Sequence, residues 1–168
     1  TPTSSSAASD VYKRQIPYLK KIRSEYPNIL ISIDTFNSEV AHEALSNGAN
    51  WINDVTGGRR DEEILDVVSE FKCPFVITHS RGNSINMNNL TKYDDFLVDI
   101  IHSLESLTKK ALNKKVNKDK IIWDPGIGFS KDTKHNIEIL RNIPFFKKFD
   151  FPLLIGASRK RFIGEILN

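Results

Sequence analysis

A chain of 168 residues, 39% hydrophobic and 27% charged, has the make-up of one globular domain with enough apolar residues for a real core. Its net charge of +3 is small and spread along the chain, which argues against a nucleic-acid surface, and no apolar run is long enough to cross a membrane. Cys73 has no second cysteine to pair with and reads as a buried thiol, while His42, His79, His102 and His135 are too scattered for a protein-bound zinc.

Residues 1–15, TPTSSSAASDVYKRQ, are Ser/Ala-rich without a helical or strand period and are set aside as unstructured or extraneous. A linker, cloning remnant or misassembled end is expected there ahead of a transit peptide, since basic residues are few. From Ile16 a regular alternation begins. Ile16, Leu19, Ile22 and Arg23 share a helical face that ends before Pro27-Asn28. ILISI follows as a buried strand, then a helix capped by Asn37 or Ser38 with Val40, Ala41, Ala44 and Leu45 inward and Gly48 as its stop. WIND is the second strand and Thr56-Gly57-Gly58 its loop. DEEILDVVSEF is a helix with acids in its first turn and Ile64, Leu65, Val68 and Phe71 inward. PFVIT is the third strand, and an Asn/Ser-rich loop runs from His79 to Lys92. The longest helix carries the stripe Phe96, Leu97, Ile100, Ile101, Leu104, Leu107, Ala111 and Leu112, which is core packing. KIIW and PLLI are the fourth and fifth strands, with a short helix near Asn136 to Arg141 between them and a last helix from about Arg159.

Each strand ends in polar chemistry: Asp34, Asn53-Asp54, His79, Asp124 and the loop Gly156-Ala157-Ser158-Arg159-Lys160. Strands alternating with helices imply a parallel sheet with right-handed crossovers. In a doubly wound sheet the ligand sits at one switch point, whereas in a barrel every strand end faces a single mouth. Four or more polar ends, with no GxGxxG after the first strand, favour an α/β fold of the (β/α)8 TIM-type barrel class. A whole barrel takes about 250 residues, so the expectation is a truncated barrel with domain limits 16–168.

The strings ISIDTFNSEVAHEAL, WINDVTGG, IIWDPGIGFSKD and PLLIGASRKRFIG, in this order and at these spacings, resemble the dihydropteroate synthase family. DPGIGF followed by GASRKRFIG is the specific part; IDT and IND alone occur in related pterin-binding barrels. The resemblance covers Ile16 to Asn168 and makes the five strands look like the family's third through seventh. It implies a transferase of folate biosynthesis, a sulfonamide target. Such an enzyme joins 6-hydroxymethyl-7,8-dihydropterin pyrophosphate to para-aminobenzoate, with release of pyrophosphate and no side-chain nucleophile. By resemblance Asp34, Asn53 and Asp124 meet the pterin ring, Lys160 its acceptor side, and Val55, Ile127, Leu154 and Gly156 the walls. Lys160, Asp124 and Asp34 are the implied catalytic groups, and Phe129, Ser158 and Arg159 the implied para-aminobenzoate contacts. Magnesium is implied with the pyrophosphate, its ligand on a strand absent here, so no metal ligand is assigned in this chain. The resemblance also implies a homodimer when complete, sometimes fused to other folate-pathway enzymes, in cytoplasm or mitochondrion.

Each residue also has an ordinary explanation. Asp124-Pro125-Gly126 is a turn signal, Asp34 suits a helix cap, Asp54 a structural bridge, and Arg159-Lys160-Arg161 a solvated face. His79 reads as a packed residue rather than a base. The family's first, second and eighth strand motifs are absent, and THSRG stands where many members have MHMRG, so Thr78 and Ser80 change the pocket wall. The 168 residues alone are therefore expected to lack synthase activity and to be poorly stable, with unpaired sheet edges. Two other functions stay open: a methyltetrahydrofolate-binding methyltransferase domain, which does not need GASRKRF, and a non-catalytic pterin-binding module.

Overall fold

The computed structural model describes residues 4–83 and 85–167. In chain order these form α1 (Ser4–Glu25), β1 (Ser32–Asp34), α2 (Ser38–Ser46), β2 (Trp51–Asp54), α3 (Glu63–Phe71), β3 (Phe75–Thr78), α4 (Phe96–Asn113), β4 (Ile121–Asp124), α5 (Thr133–Arg141), α6 (Ile143–Phe146) and α7 (Arg161–Leu167). The four strands pair in parallel in the order β1-β2-β3-β4. Spatial order equal to chain order leaves no switch point, and α1 packs on α2 and α2 on α3, so these successive crossovers stay on one face of the sheet. That is the winding of a barrel wall.

Caps appear where the residue types demand them. Asn37 Oδ1 accepts from Val40 N at 2.8 Å, Asp95 caps α4 through Val98 N, and Asp132 caps α5 through His135 N. Arg23 near the end of α1 donates to Gly48 O, Asn50 Oδ1, Pro27 O and Ile29 O, which ties that helix end to the turn feeding β2. Gly48 takes φ +94, a conformation that excludes a side chain.

Strand alternation divides the side chains. Ile52, Phe75, Ile77, Ile121 and Trp123 face the helices, all at 0% exposure. Trp123 Nε1 donates to Thr108 Oγ1 on α4 at 2.8 Å, so its one polar atom is satisfied. Each such side chain contributes about 1.5–3 kcal/mol of burial. Asn53, Val76, Thr78, Ile122 and Asp124 occupy the opposite face.

Three expectations change. Residues 4–15 are not unstructured but form the first half of α1; residues 1–3 lie outside the described residues. No Gly or Pro interrupts residues 4–16, so helix propagates from the packed turn at Ile16 and Leu19, despite the hydrogen bond lost at Pro17. The strand ILISI shrinks to Ser32–Asp34, with Ile29 and Leu30 exposed, because β1 is a sheet edge among the described residues. The fifth strand is reduced to one parallel bridge, Trp123 with Leu153. Trp123 N donates to Pro152 O at 2.9 Å and Leu154 N to Trp123 O at 2.8 Å. The next rung on either side needs an N–H from Pro152 or Pro125, and neither has one.

Candidate functional site

Register decides which polar side chains meet. Asp34 lies opposite Asn53, and Thr78 opposite Asp124. The Trp123–Leu153 bridge carries Leu154 to the side of Asp124. Asp34, Asn53, Thr78, Asp124 and Leu154 thus lie on one face, at the C-terminal rim of consecutive strands. Asn53 Oδ1 is closed off from solvent and has no hydrogen-bond partner, which leaves a dry acceptor at the rim.

Asp124 is 7% exposed. Its Oδ1 accepts from Gly126 N at 2.8 Å, and no described donor takes Oδ2. Burial raises the carboxyl, while the Gly126 N–H and the Lys131 and Lys160 ammonium groups pull it back toward the anion. Lys160 is half-buried and lies 4.4 Å from the centroid of the Phe129 ring. Asp34 stands at the exposed edge, its carboxyl raised by partial desolvation first and by the Asp54 charge second. Asp54 points to the helix side and is wholly buried, accepting from Thr56 N, Thr56 Oγ1 and Gly58 N, so it builds the Thr56–Gly58 turn.

The loop after β4 is locked onto the end of β3. Lys131 is buried and its Nζ lies 2.8 Å from His79 Nδ1 and donates to Phe129 O at 2.9 Å. Burial pushes His79 down to about 2, with Lys131 the next cause, so the ring is held neutral beside the Lys131 amine. Burial likewise pushes Lys131 down to about 7, against the pull of Asp124. Ser130, at φ +52, exchanges hydrogen bonds with Arg81: its Oγ donates to Arg81 O at 2.6 Å and accepts from Arg81 N at 3.1 Å. A Cβ on Gly126 would fall within van der Waals overlap of His79 O, so only glycine lets the two loops touch. The packed role expected for His79 is the one it has.

Two cavities open beside these groups. One of about 370 Å³ is lined by Phe36, Val55, Met87 and Phe129 with Arg59 and Arg60. The other, about 200 Å³, is lined by Gly128, Lys131, Asn136, Lys160 and Phe162. Phe129 and Val55 share the first, and Lys160 edges the second. Ser158 and Arg159 are exposed, Arg159 at φ +55, and the last helix begins at Arg161 rather than Arg159. Ile127 is 1% exposed and belongs to the hydrophobic core, and Gly156 sits in open space. The sequence alone assigns Lys131 no role; a lysine directly after a Gly-Phe-Ser loop at a strand end is the available signal. Among the described residues no three His, Cys, Asp or Glu side chains stand together as a metal site. No helix of the described residues is long and apolar enough to cross a membrane.

Residues 3–168 match the family model of pterin binding enzymes. The chain is 43% identical over 156 residues to a dihydropteroate synthase of Synechocystis sp., which covers 93% of this chain and 54% of that protein. A dihydropteroate synthase of Thermus thermophilus solved in complex with 6HMPPP superposes with a TM-score of 0.87 at 33% identity, over 95% of this chain and 62% of that one. The Xanthomonas albilineans dihydropteroate synthase solved with 4-aminobenzoic acid gives a TM-score of 0.87 at 31% identity, over 95% of this chain and 56% of that one. The chain therefore spans little more than half the length of these proteins, and its sheet is that part of their barrel. With sequential parallel strands, rim acids and a family match over nearly every residue, the chain belongs to the pterin binding enzymes.

Proposed function

We propose that this chain is the pterin-gripping part of a dihydropteroate synthase, which joins a 6-hydroxymethyl-dihydropterin pyrophosphate to para-aminobenzoate. The observation that carries this reading is the acceptor pair Asn53 Oδ1 and Asp124 Oδ2, on strands two apart and on one face. A pterin's amino-pyrimidine edge offers adjacent N–H donors, and two acceptors without partners suit it, above all the sealed Asn53 oxygen, because an unmatched buried polar atom costs about 1–3 kcal/mol. Lys160 and Lys131 keep Asp124 an acceptor by favouring its anion. Lys160 donates to the ring's acceptor side, and Val55 and Leu154 hold the ring's faces. Asp34, at the first rim position, sits where positive charge develops on the methylene carbon once pyrophosphate leaves, and its carboxylate stabilises that charge.

The aniline nitrogen then attacks that carbon, so this chain orients and desolvates while no side chain forms a covalent bond. Phe129 packs the benzoate ring, and Ser158 and Arg159 supply hydroxyl and guanidinium donors to its carboxylate. The exposure of both leaves them free to turn toward it. Magnesium is expected to arrive with the pyrophosphate, and none of these steps runs through it. The exposed edge of β1 takes the rest of the barrel, so pyrophosphate release and turnover belong to the complete enzyme, a homodimer in this proposal. The test is titration of the chain with 6-hydroxymethylpterin. Binding in the micromolar range that para-aminobenzoate does not displace supports the reading; no binding, or binding untouched by Asp124→Asn, contradicts it.

A further inference from the structure

One buried oxygen on the rim has no place in the machinery above. Thr78 is 1% exposed, and its Oγ1 has no hydrogen-bond partner. Folded proteins seldom leave a buried hydroxyl unpaired, so a use for this one is called for.

Sheet order supplies the use. β3 lies between β2, which carries Asn53, and β4, which carries Asp124. Neighbouring strands run about 4.8 Å apart, so a ring whose edge reaches from Asn53 to Asp124 must cross the end of β3. Thr78 is the residue there: it is paired with Asp124 and lies two positions beyond Val76, the partner of Asn53. It faces the same way as both, yet it bonds neither. Resting on the pterin reading, we propose that the Thr78 hydroxyl is a third polar contact to the bound ring and tunes which heterocycles the site accepts.

A hydroxyl both donates and accepts, so it can meet either a ring carbonyl or a ring N–H. It is already out of water before any ligand arrives, so a ligand bond to it carries no further desolvation cost on the protein side. Asn53 Oδ1, dry and unpaired on the adjacent strand, is in the same condition. The three groups then read an edge as acceptor, switchable hydroxyl and acceptor, which disfavours apolar rings of the same size.

The test uses Thr78→Val, which keeps shape and removes the oxygen, and Thr78→Ser, which restores it. Melting of the unliganded chain is the first readout. The proposal expects Thr78→Val to melt at or above the parent temperature, since an unpaired buried hydroxyl is lost; a clearly lower melting temperature means the hydroxyl is satisfied within the fold and overturns it. Titration with 6-hydroxymethylpterin is the second. Thr78→Val is expected to bind roughly tenfold more weakly, with Thr78→Ser within about threefold of the parent. Unchanged affinity in Thr78→Val beside weakened affinity in Asp124→Asn overturns this inference and spares the pterin reading. Unchanged affinity in both, or no binding by the unmutated chain, overturns the pterin reading and this inference with it.

Discussion

In the proposed pterin site Asp124 is the residue with the most at stake. One oxygen holds the Gly126 turn and the other is free, with two ammonium groups biasing it toward the anion. Asp124→Asn keeps the shape and removes the charge, so it should weaken 6-hydroxymethylpterin binding about 10- to 100-fold by fluorescence titration, with the circular dichroism spectrum unchanged. His79 gives a pH prediction of definite sign. Its ordinary value of 6.5 falls to about 2 in the fold, so between these limits the unfolded chain binds the extra proton. Stability should therefore rise with pH across that window, with a slope approaching about 1.4 kcal/mol per pH unit from this group. Asp54 and Asp124 act oppositely: their raised carboxyls hold protons in the fold, so just above 3.8 they lower stability as pH rises. Lys131 extends the rise at the alkaline end, since it falls from 10.5 to about 7 and its burial cost is relieved as pH climbs between those values. Urea melts from pH 3 to 10 of the parent and of Lys131→Met check both; Lys131→Met should flatten the curve above pH 7 and keep an acid limb that reaches less far down in pH, because burial still lowers His79 but the Lys131 charge no longer does.

Elements explain what the sequence disclosed and what it did not. Four strands were legible because each apolar run is short, flanked by turn residues and closed by a polar end. Asn37, Gly48 and the long stripe of α4 were legible for equally local reasons, although Leu112 in that stripe is exposed. The fifth strand was not, because Pro125 and Pro152 remove one rung on each side of the Trp123–Leu153 bridge, and that bridge is a long-range pairing. The exposure of Ile29 and Leu30 is also non-local: their pattern is that of a buried strand, and only the edge position of β1 leaves them in solvent. Lys131 escaped for a similar reason, since His79 lies 52 positions away in sequence. The β4 loop yields its own prediction. Gly126→Ala drives a Cβ into His79 O at a φ of +74, and should cost about 3 kcal/mol or more in stability. A thermal shift of under one degree for that variant would contradict the docking of the two loops.

At the scale of the whole molecule, strands in chain order with helices on one side make a barrel wall whose polar ends share a mouth. The chain spans 54% of its Synechocystis relative, and β1 presents an open edge with an apolar groove of about 390 Å³ lined by Tyr18, Leu19, Ile22, Ile31 and Ile33. Binding and turnover should therefore separate: the chain alone grips a pterin, whereas coupled pyrophosphate release from 6-hydroxymethyl-dihydropterin pyrophosphate and para-aminobenzoate stays at background. Robust turnover by the purified chain would contradict the division. The most direct measurement is a crystal structure of the chain grown with 6-hydroxymethylpterin. The amino-pyrimidine edge is expected within hydrogen-bond distance of Asn53 and Asp124, with the Lys160 ammonium on the opposite side of the ring. A ring bound elsewhere, with the Asn53 oxygen still unpaired, would contradict it.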